Sequence, residues 1–425
     1  MIRGAGRARA RATFLRRAGQ GKAPVSAIAA YITCPAAFRT RKPLMTRRIP
    51  VALGIPLCVP LCAAVALLAP LHAAGAEVDY HLSGVAQGGV VGTDRPAAGD
   101  GHWDAAGAYA VTGSVETVTE SGVTYGALLR LGSGNTGRST DRPGNADRQG
   151  IGIDQAYVYA SGGWGKVRLG QSWGASERAT DLLPLLVAGE MDGFWTQSAR
   201  VRPPGMALGR AYAGRDSDDA AKVDYETPRL FGLKAGVSFA PERRAFGQDI
   251  VAPYAIPAET NFWEGAVNYR GDWGPTQYEV GVAYNHANAA HSWLEDTSTV
   301  TLAGGLTYGG FTVGAVLFDD GDSGLPHDRP ANAPGETRGA TLQGTYENGP
   351  YGLTLFWHGS ETENWTTYRA YGLGLSWKVR SDTTLGLDFI HWTADLESGN
   401  PAAMADQSSP RPTGNVATAV VEFRF

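Results

Sequence analysis

From residue 77 to the C-terminus the sequence contains no cysteine; Cys34, Cys58 and Cys62 all precede that point. That absence excludes a disulfide framework, a Cys-ligated zinc, an iron–sulfur cluster and a Cys nucleophile from the larger part of the chain. Acidic residues are missing from the first 76 positions, which hold 12 Lys and Arg. The remainder therefore carries 25 basic and 41 acidic side chains, a formal net charge of −16. Such an acidic excess argues against nucleic acid as a partner, because phosphate binding needs a basic footprint. Beyond Glu77 no run reaches the ~18 consecutive apolar residues of a transmembrane helix. Amphipathic helical periodicity is also nearly absent. What is abundant is Gly (57), Tyr (17), Phe (13) and Trp (11), a composition unlike that of a disordered chain.

The segment from Met45 to Ala76 reads as a secretory signal. Arg47 and Arg48 form its charged start, Val51 to Ala69 its apolar stretch, and Ala74-Gly75-Ala76 its small-residue cleavage site. A membrane-spanning helix is the alternative, weakened by Pro50, Pro56, Pro60 and Pro70. Residues 1–44 resemble no domain and read as a non-native or misassigned extension, with Met45 as the start. Residues 77–425 form the working domain.

Along that domain period-2 alternation recurs in pieces of about ten residues, punctuated by Gly, Asp, Asn and Pro. Tyr125, Ala127, Leu129 and Leu131 alternate with Gly126, Leu128 and Arg130. Leu233, Ala235, Val237 and Phe239 alternate with Lys234, Gly236 and Ser238, and Tyr371 to Val379 repeats the pattern. The polar phase is too rich in Gly and Ser for an ordinary solvated face. The inverted arrangement fits: large apolar side chains face lipid while small and charged ones line a wet lumen. Short connections such as 120–122, 162–165, 271–274, 308–310 and 348–350 alternate with long polar ones at 133–150, 172–217, 241–260, 320–336 and 396–413. We count sixteen strands, ending with Asn415 to Phe425. The fold class is all-β: a closed antiparallel transmembrane barrel of sixteen strands, whose first and last strands must pair because lipid tolerates no open edge.

Residues 154–174, Asp-Gln-Ala-Tyr-Val-Tyr-Ala-Ser-Gly-Gly-Trp-Gly-Lys-Val-Arg-Leu-Gly-Gln-Ser-Trp-Gly, resemble the strand–turn–strand preceding the third loop of Gram-negative general porins. The stretch Lys222-Val223-Asp224-Tyr225-Glu226-Thr227-Pro228 is similar to the strand on which that loop ends, and the terminal Phe425 on an alternating strand resembles the assembly signal of outer-membrane barrels. The resemblance implies a homotrimer in the bacterial outer membrane, with the third loop of each barrel folded inward. Gln171 and Asp154 depart from the basic residues common in the family, which puts its charge arrangement at the constriction in doubt here.

Loop 172–217 carries Glu177, Asp181, Glu190 and Asp192. If it enters the lumen, Glu190-Met191-Asp192-Gly193-Phe194 is its tip, being similar to the family's acidic constriction. Arg130 and Arg168, on the polar phase of their strands, are the expected basic wall. Acids facing arginines across a gap orient polar solutes and tune ion selectivity. The function expected is passive diffusion of small hydrophilic solutes and ions, weakly cation-selective, with no enzymatic activity and no cofactor. Lipopolysaccharide is an expected partner, and Asp319-Asp320-Gly321-Asp322 could take a divalent cation such as calcium, though it lacks the full calcium-loop pattern. Alternatives are a channel specific for sugars, phosphate or dicarboxylates, or a barrel hydrolase. The tryptophans at 173, 195, 293 and 365 give no evident aromatic line for sugars. Three enzyme-like patterns, Gly132 to Gly137, Gly170 to Gly174 and Gly321 to Gly324, lack the α/β or disulfide frames such motifs need.

Overall fold

The computed structural model describes residues 78–94, 102–133, 151–183, 214–243, 259–397 and 411–425. The segments expected as upstream extension (1–44) and secretory signal (45–76), and Glu190 and Asp192, lie outside these residues. Sixteen strands follow in order: β1 (Val78–Thr93), β2 (Trp103–Val118), β3 (Thr124–Ser133), β4 (Ile151–Gly162), β5 (Gly165–Gln171), β6 (Ala221–Glu226), β7 (Leu233–Glu242) and β8 (Thr260–Trp273). The second half comprises β9 (Thr276–Asn288), β10 (Thr297–Tyr308), β11 (Phe311–Gly321), β12 (Thr337–Asn348), β13 (Tyr351–Thr362), β14 (Thr366–Arg380), β15 (Thr383–Leu396) and β16 (Thr413–Arg424). One helix, α1 (Ala175–Thr180), interrupts the connection between β5 and β6. Among the described residues no helix is long and apolar enough to cross a membrane.

Each strand pairs antiparallel with its sequence neighbours, and β1 pairs with β16 to close the barrel. The closing register runs from Val85 opposite Arg424 to Thr93 opposite Val416. Beyond it, the Gly84 amide donates to the Phe425 carbonyl at 2.9 Å and the Phe425 amide donates back at 3.0 Å. From Gly84 to Thr93 the seam between β1 and β16 is continuously bonded, closing the barrel as hydrocarbon requires.

Which phase faces which way follows from burial. Val267, Val280, Val282, Leu302, Leu355 and Leu387 are exposed. Their polar neighbours Asn268, Asn285, Thr301, Thr354 and Asp388 are buried. This is the inverse of a water-soluble barrel. Next to the tight turns, exposed Phe311 stacks on Tyr346 with ring centroids 4.3 Å apart, and Tyr351 stacks on Trp377 at 6.4 Å. Amphipathic rings at that level suit a membrane interface. At the opposite end the outward phase turns charged: Arg338 pairs with Glu361 and Arg369 with Asp395, each at 3.2 Å. The apolar band ends there.

Short turns do join β2–β3, β4–β5, β8–β9, β10–β11 and β12–β13, and long connections leave the other end. One connection departs from the expected asymmetry. Only Glu363-Asn364-Trp365 links β13 to β14 at the long-loop end. Neighbouring loops there dock on each other: the Glu295 amide donates to the Leu325 carbonyl at 2.7 Å, and the Gly324 amide to the Glu295 carbonyl at 3.0 Å.

Candidate functional site: the lumen wall and its inward loop

After Gln171 the chain leaves the wall and forms α1 within two turns' reach of the inner phases of β7 to β10. Ala175, Glu177, Arg178 and Ala179 favour the helical conformation, and Thr180 Oγ1 closes the turn by donating to the Ser176 carbonyl at 2.9 Å. Six residues are too few for a stable isolated helix, so its contacts hold it. One side is small: Ala175 and Ala179 pack on Ala266 and Ala283. Gly281 sits directly beneath, where a Cβ would lie 1.8 Å from the Ala179 carbonyl oxygen. Further along, Leu182 and Leu183 pack on Ala303 and Val316.

The polar contacts are as specific. At the helix start Gly174 has no side chain to cap the first amides; the Glu264 carboxylate on β8 does so from the wall, its Oε2 accepting the Ser176 amide at 3.0 Å. The Ala175 amide donates to Ser238 Oγ at 2.6 Å, and the Asn268 Nδ2 donates to the Ala179 carbonyl at 3.2 Å. Arg178 reaches Asp224 Oδ1 at 2.9 Å. Burial pulls the Arg178 guanidinium below its ordinary value, with Asp224 acting in the opposite direction.

Arg168 meets the same carboxylate. Its Nη1 lies 2.6 Å from Asp224 Oδ1 and its Nη2 2.6 Å from Glu226 Oε2, while Lys234 holds the other oxygen of Glu226 at 2.5 Å. Asp224 is fully buried and receives a further hydrogen bond from Ser238 at 3.2 Å. Arg168 thus lies on the inner phase, as its strand position implies, and two acids of the adjacent β6 engage it. Arg130 is likewise on the wall. A bulge between Arg130 and Leu131 leaves Asp154 without a ladder partner, and its carboxylate turns to Arg130 Nε at 2.8 Å. Of the loop acids, Glu177 is buried in α1, and Asp181 is exposed just beyond it.

The returning leg of the loop is fastened too. The Arg215 amide donates to Asp320 Oδ1 at 2.9 Å, and its guanidinium meets Glu259 at 2.7 Å. Arg243 meets the other oxygen of Glu259 at 3.1 Å. Burial pushes the Glu259 carboxyl up, but Arg243 and Arg215 outweigh it and hold it below the usual carboxylate value. Asp320 is therefore part of the wall. Asp319 accepts from the Gly321 amide at 2.9 Å, and Asp322 engages Arg329, so the three carboxylates do not converge. Among the described residues no His, Cys, Asp and Glu cluster could hold a metal ion.

Sequence reasoning missed Arg178, Arg215, Asp224, Glu226, Glu259 and Glu264. For Asp224, Glu226 and Glu264 the signal was present: each carboxylate sits on the polar phase of an alternating strand, opposite Tyr225 or Trp263. The inner phase also carries aromatic residues that the tryptophan positions did not reveal. Phe356, Tyr368 and Trp392 are buried there, and the Tyr368 hydroxyl and Trp392 Nε1 have no hydrogen-bond partner among the described residues. The Trp392 indole lies across Gly414 and the Phe356 ring across Gly372, each occupying the space a Cβ would need.

Solved structures that resemble this barrel include porins. An anion-selective porin from Comamonas acidovorans matches with 17% identity and a TM-score of 0.57, covering 82% of this chain and 100% of that one. A second porin matches with 20% identity and a TM-score of 0.51, over 82% and 100% of the two chains. A loop-deletion mutant of OmpT, an outer-membrane protein of Vibrio cholerae, matches with 11% identity and a TM-score of 0.54, over 82% and 99%. At such identities the likeness speaks for the fold. Curated proteins returned no match. A family description, Gram-negative porin, matches residues 62–409, most of the chain that builds the closed inverted barrel: the chain belongs to the Gram-negative porin family.

Proposed function

We propose that this chain forms a homotrimeric, water-filled channel that passes small hydrophilic solutes and ions by diffusion, without enzymatic activity. The family and the apolar outer surface make the bacterial outer membrane its location. The observation that carries the channel reading is a closed barrel with its polar phase inside and α1 seated on that inner wall, narrowing the passage. Support for the trimer comes from the outward phase of β1 and β2, where Ala86, Gly88, Ala105 and Gly107 form a small-residue patch beside exposed Tyr109. Small residues of this kind let membrane-spanning elements approach closely. A weak cation preference rests on the acidic excess of residues 77–425. The paired charges on β5 to β9 (Arg168, Lys234 and Arg270 with Asp224, Glu226 and Glu279) keep that preference small.

Planar-bilayer recording of refolded protein tests the proposal. Stepwise conductance increments proportional to salt are expected, with a reversal potential in a salt gradient slightly toward the cation. Silence from a folded barrel sinks the channel, and a chloride-favouring potential sinks the selectivity. A substrate-specific channel is the second reading, favoured by buried Tyr368 and Trp392 with unfilled donors on the lumen wall. A current that a sugar blocks saturably decides for it.

A further inference from the structure

One carboxylate holds both legs of the inward loop. Glu264, 2% exposed on β8, accepts the Ser176 amide on Oε2 at 3.0 Å and the Ser217 amide on Oε1 at 2.6 Å. Directly opposite it in the ladder stands Asn285 of β9, completely buried. The Asn285 Nδ2 donates to Ser176 Oγ at 3.1 Å and to the Arg215 carbonyl at 2.6 Å. Two neighbouring wall residues thus grip the outgoing chain at Ser176 and the returning chain at Arg215 and Ser217. The approach is so close that a Cβ on Gly174 would lie 1.8 Å from Glu264 Oε2. Lys222, itself buried, adds a third hold by donating to Ser217 Oγ and the Asp218 carbonyl.

The physics of this arrangement differs from that of the other loop contacts. Arg178–Asp224 fixes one leg, and Arg215–Glu259 fixes the other. Among the described residues, Glu264 and Asn285 are the wall side chains that bond both legs at once, tightening at Ser176 and Ser217 a loop whose ends β5 and β6 already pair at Gln171 and Ala221. Closing such a loop costs conformational entropy. A carboxylate accepting two backbone amides supplies strong charge-assisted bonds against that cost. Neither amide has another acceptor to turn to among the described residues, so losing the carboxylate leaves buried donors unmet.

We propose that Glu264 and Asn285 are positioning residues that clasp the neck of the third loop and thereby set and steady the bore of the channel. The proposal rests on the channel reading. Glu264→Ala should keep a folded, heat-modifiable barrel but raise open-channel current noise several-fold. Glu264→Gln, which retains one carbonyl oxygen, should fall between it and the unmodified protein. Asn285→Ala provides the same test should Glu264→Ala fail to refold. A readout independent of permeation is amide hydrogen exchange: Ser176 and Ser217 should be protected in the unmodified protein, and both should lose protection in Glu264→Ala. Wild-type noise in a folded Glu264→Ala barrel, or freely exchanging Ser176 and Ser217 amides in the unmodified protein, overturns the clasp. Failure of the unmodified barrel to conduct would instead overturn the channel reading while leaving the exchange result intact.

Discussion

Gly281→Ala is the smallest change that should alter the passage. The added Cβ would lie 1.8 Å from the Ala179 carbonyl oxygen and 2.7 Å from its carbon, whereas ordinary contacts begin near 3.4 Å. Both partners are backbone, so no rotamer change relieves the clash; α1 must rise by about 1.6 Å at that end. The movement takes the Ala179 carbonyl out of reach of Asn268 Nδ2, now 3.2 Å away. Losing that hydrogen bond costs about 1 kcal/mol, and overpacking adds about 1–3 kcal/mol. The start of the helix stays fastened at Ser238 and Glu264. The expected result is a pivot toward the lumen, seen as lower single-channel conductance with unchanged heat-modifiable mobility on a gel. Gly265→Ala is the control, because it faces outward with nothing within 4 Å and should leave conductance alone. Conductance identical to the unmodified channel in Gly281→Ala would show that α1 is not seated on β9.

Arg168→Leu should destabilise the barrel by about 3 kcal/mol. Breaking one partner of a buried ion pair typically costs about 3–5 kcal/mol, and Asp224 and Glu226 retain Arg178 and Lys234; urea unfolding in lipid measures it, and a change under about 1 kcal/mol contradicts the pairing. Acidification should loosen the returning leg. Glu259 titrates below the ordinary 4.5 in the folded chain, so its contribution is complete above that pH and is lost as pH falls through the lowered value. Current noise rising below about pH 4.5 in the unmodified channel, and absent from Glu259→Gln, is the expected signature. In the docked outer loops a hydrogen bond donated to Glu295 raises the His327 imidazole above 6.5, so that contact is complete below pH 6.5 and weakens as pH climbs through the raised value. Histidine NMR titration should show the raised midpoint, and Glu295→Gln should return it to ordinary. Phe425 lays its ring over Gly84 while its backbone bonds close the seam. Phe425→Ala should cost about 1 kcal/mol or less once folded, since the ring is largely exposed. Its yield of assembled protein in cells should nonetheless fall, and undiminished yield argues against an assembly role for the terminal ring.

The alternation of Val, Leu and Phe with Gly, Thr and Asp settles strand, phase and polarity without any tertiary information, because side chains on a strand alternate by local geometry alone. Sixteen such pieces and the intolerance of lipid for open edges lead to closure of β1 on β16. Arg130 and Arg168 fall on the inner phase for the same reason. Their partners do not follow. Asp154 reaches Arg130 only because a bulge turns it, and Arg168 meets Asp224 and Glu226 because β6 returns beside β5 after a long excursion. The grip of Glu264 on Ser176 and Ser217 joins residues far apart in the chain, and no periodicity encodes which carboxylate the loop will find. Partner choice across a barrel depends on register and on the path of the loop, both fixed only when the sheet closes.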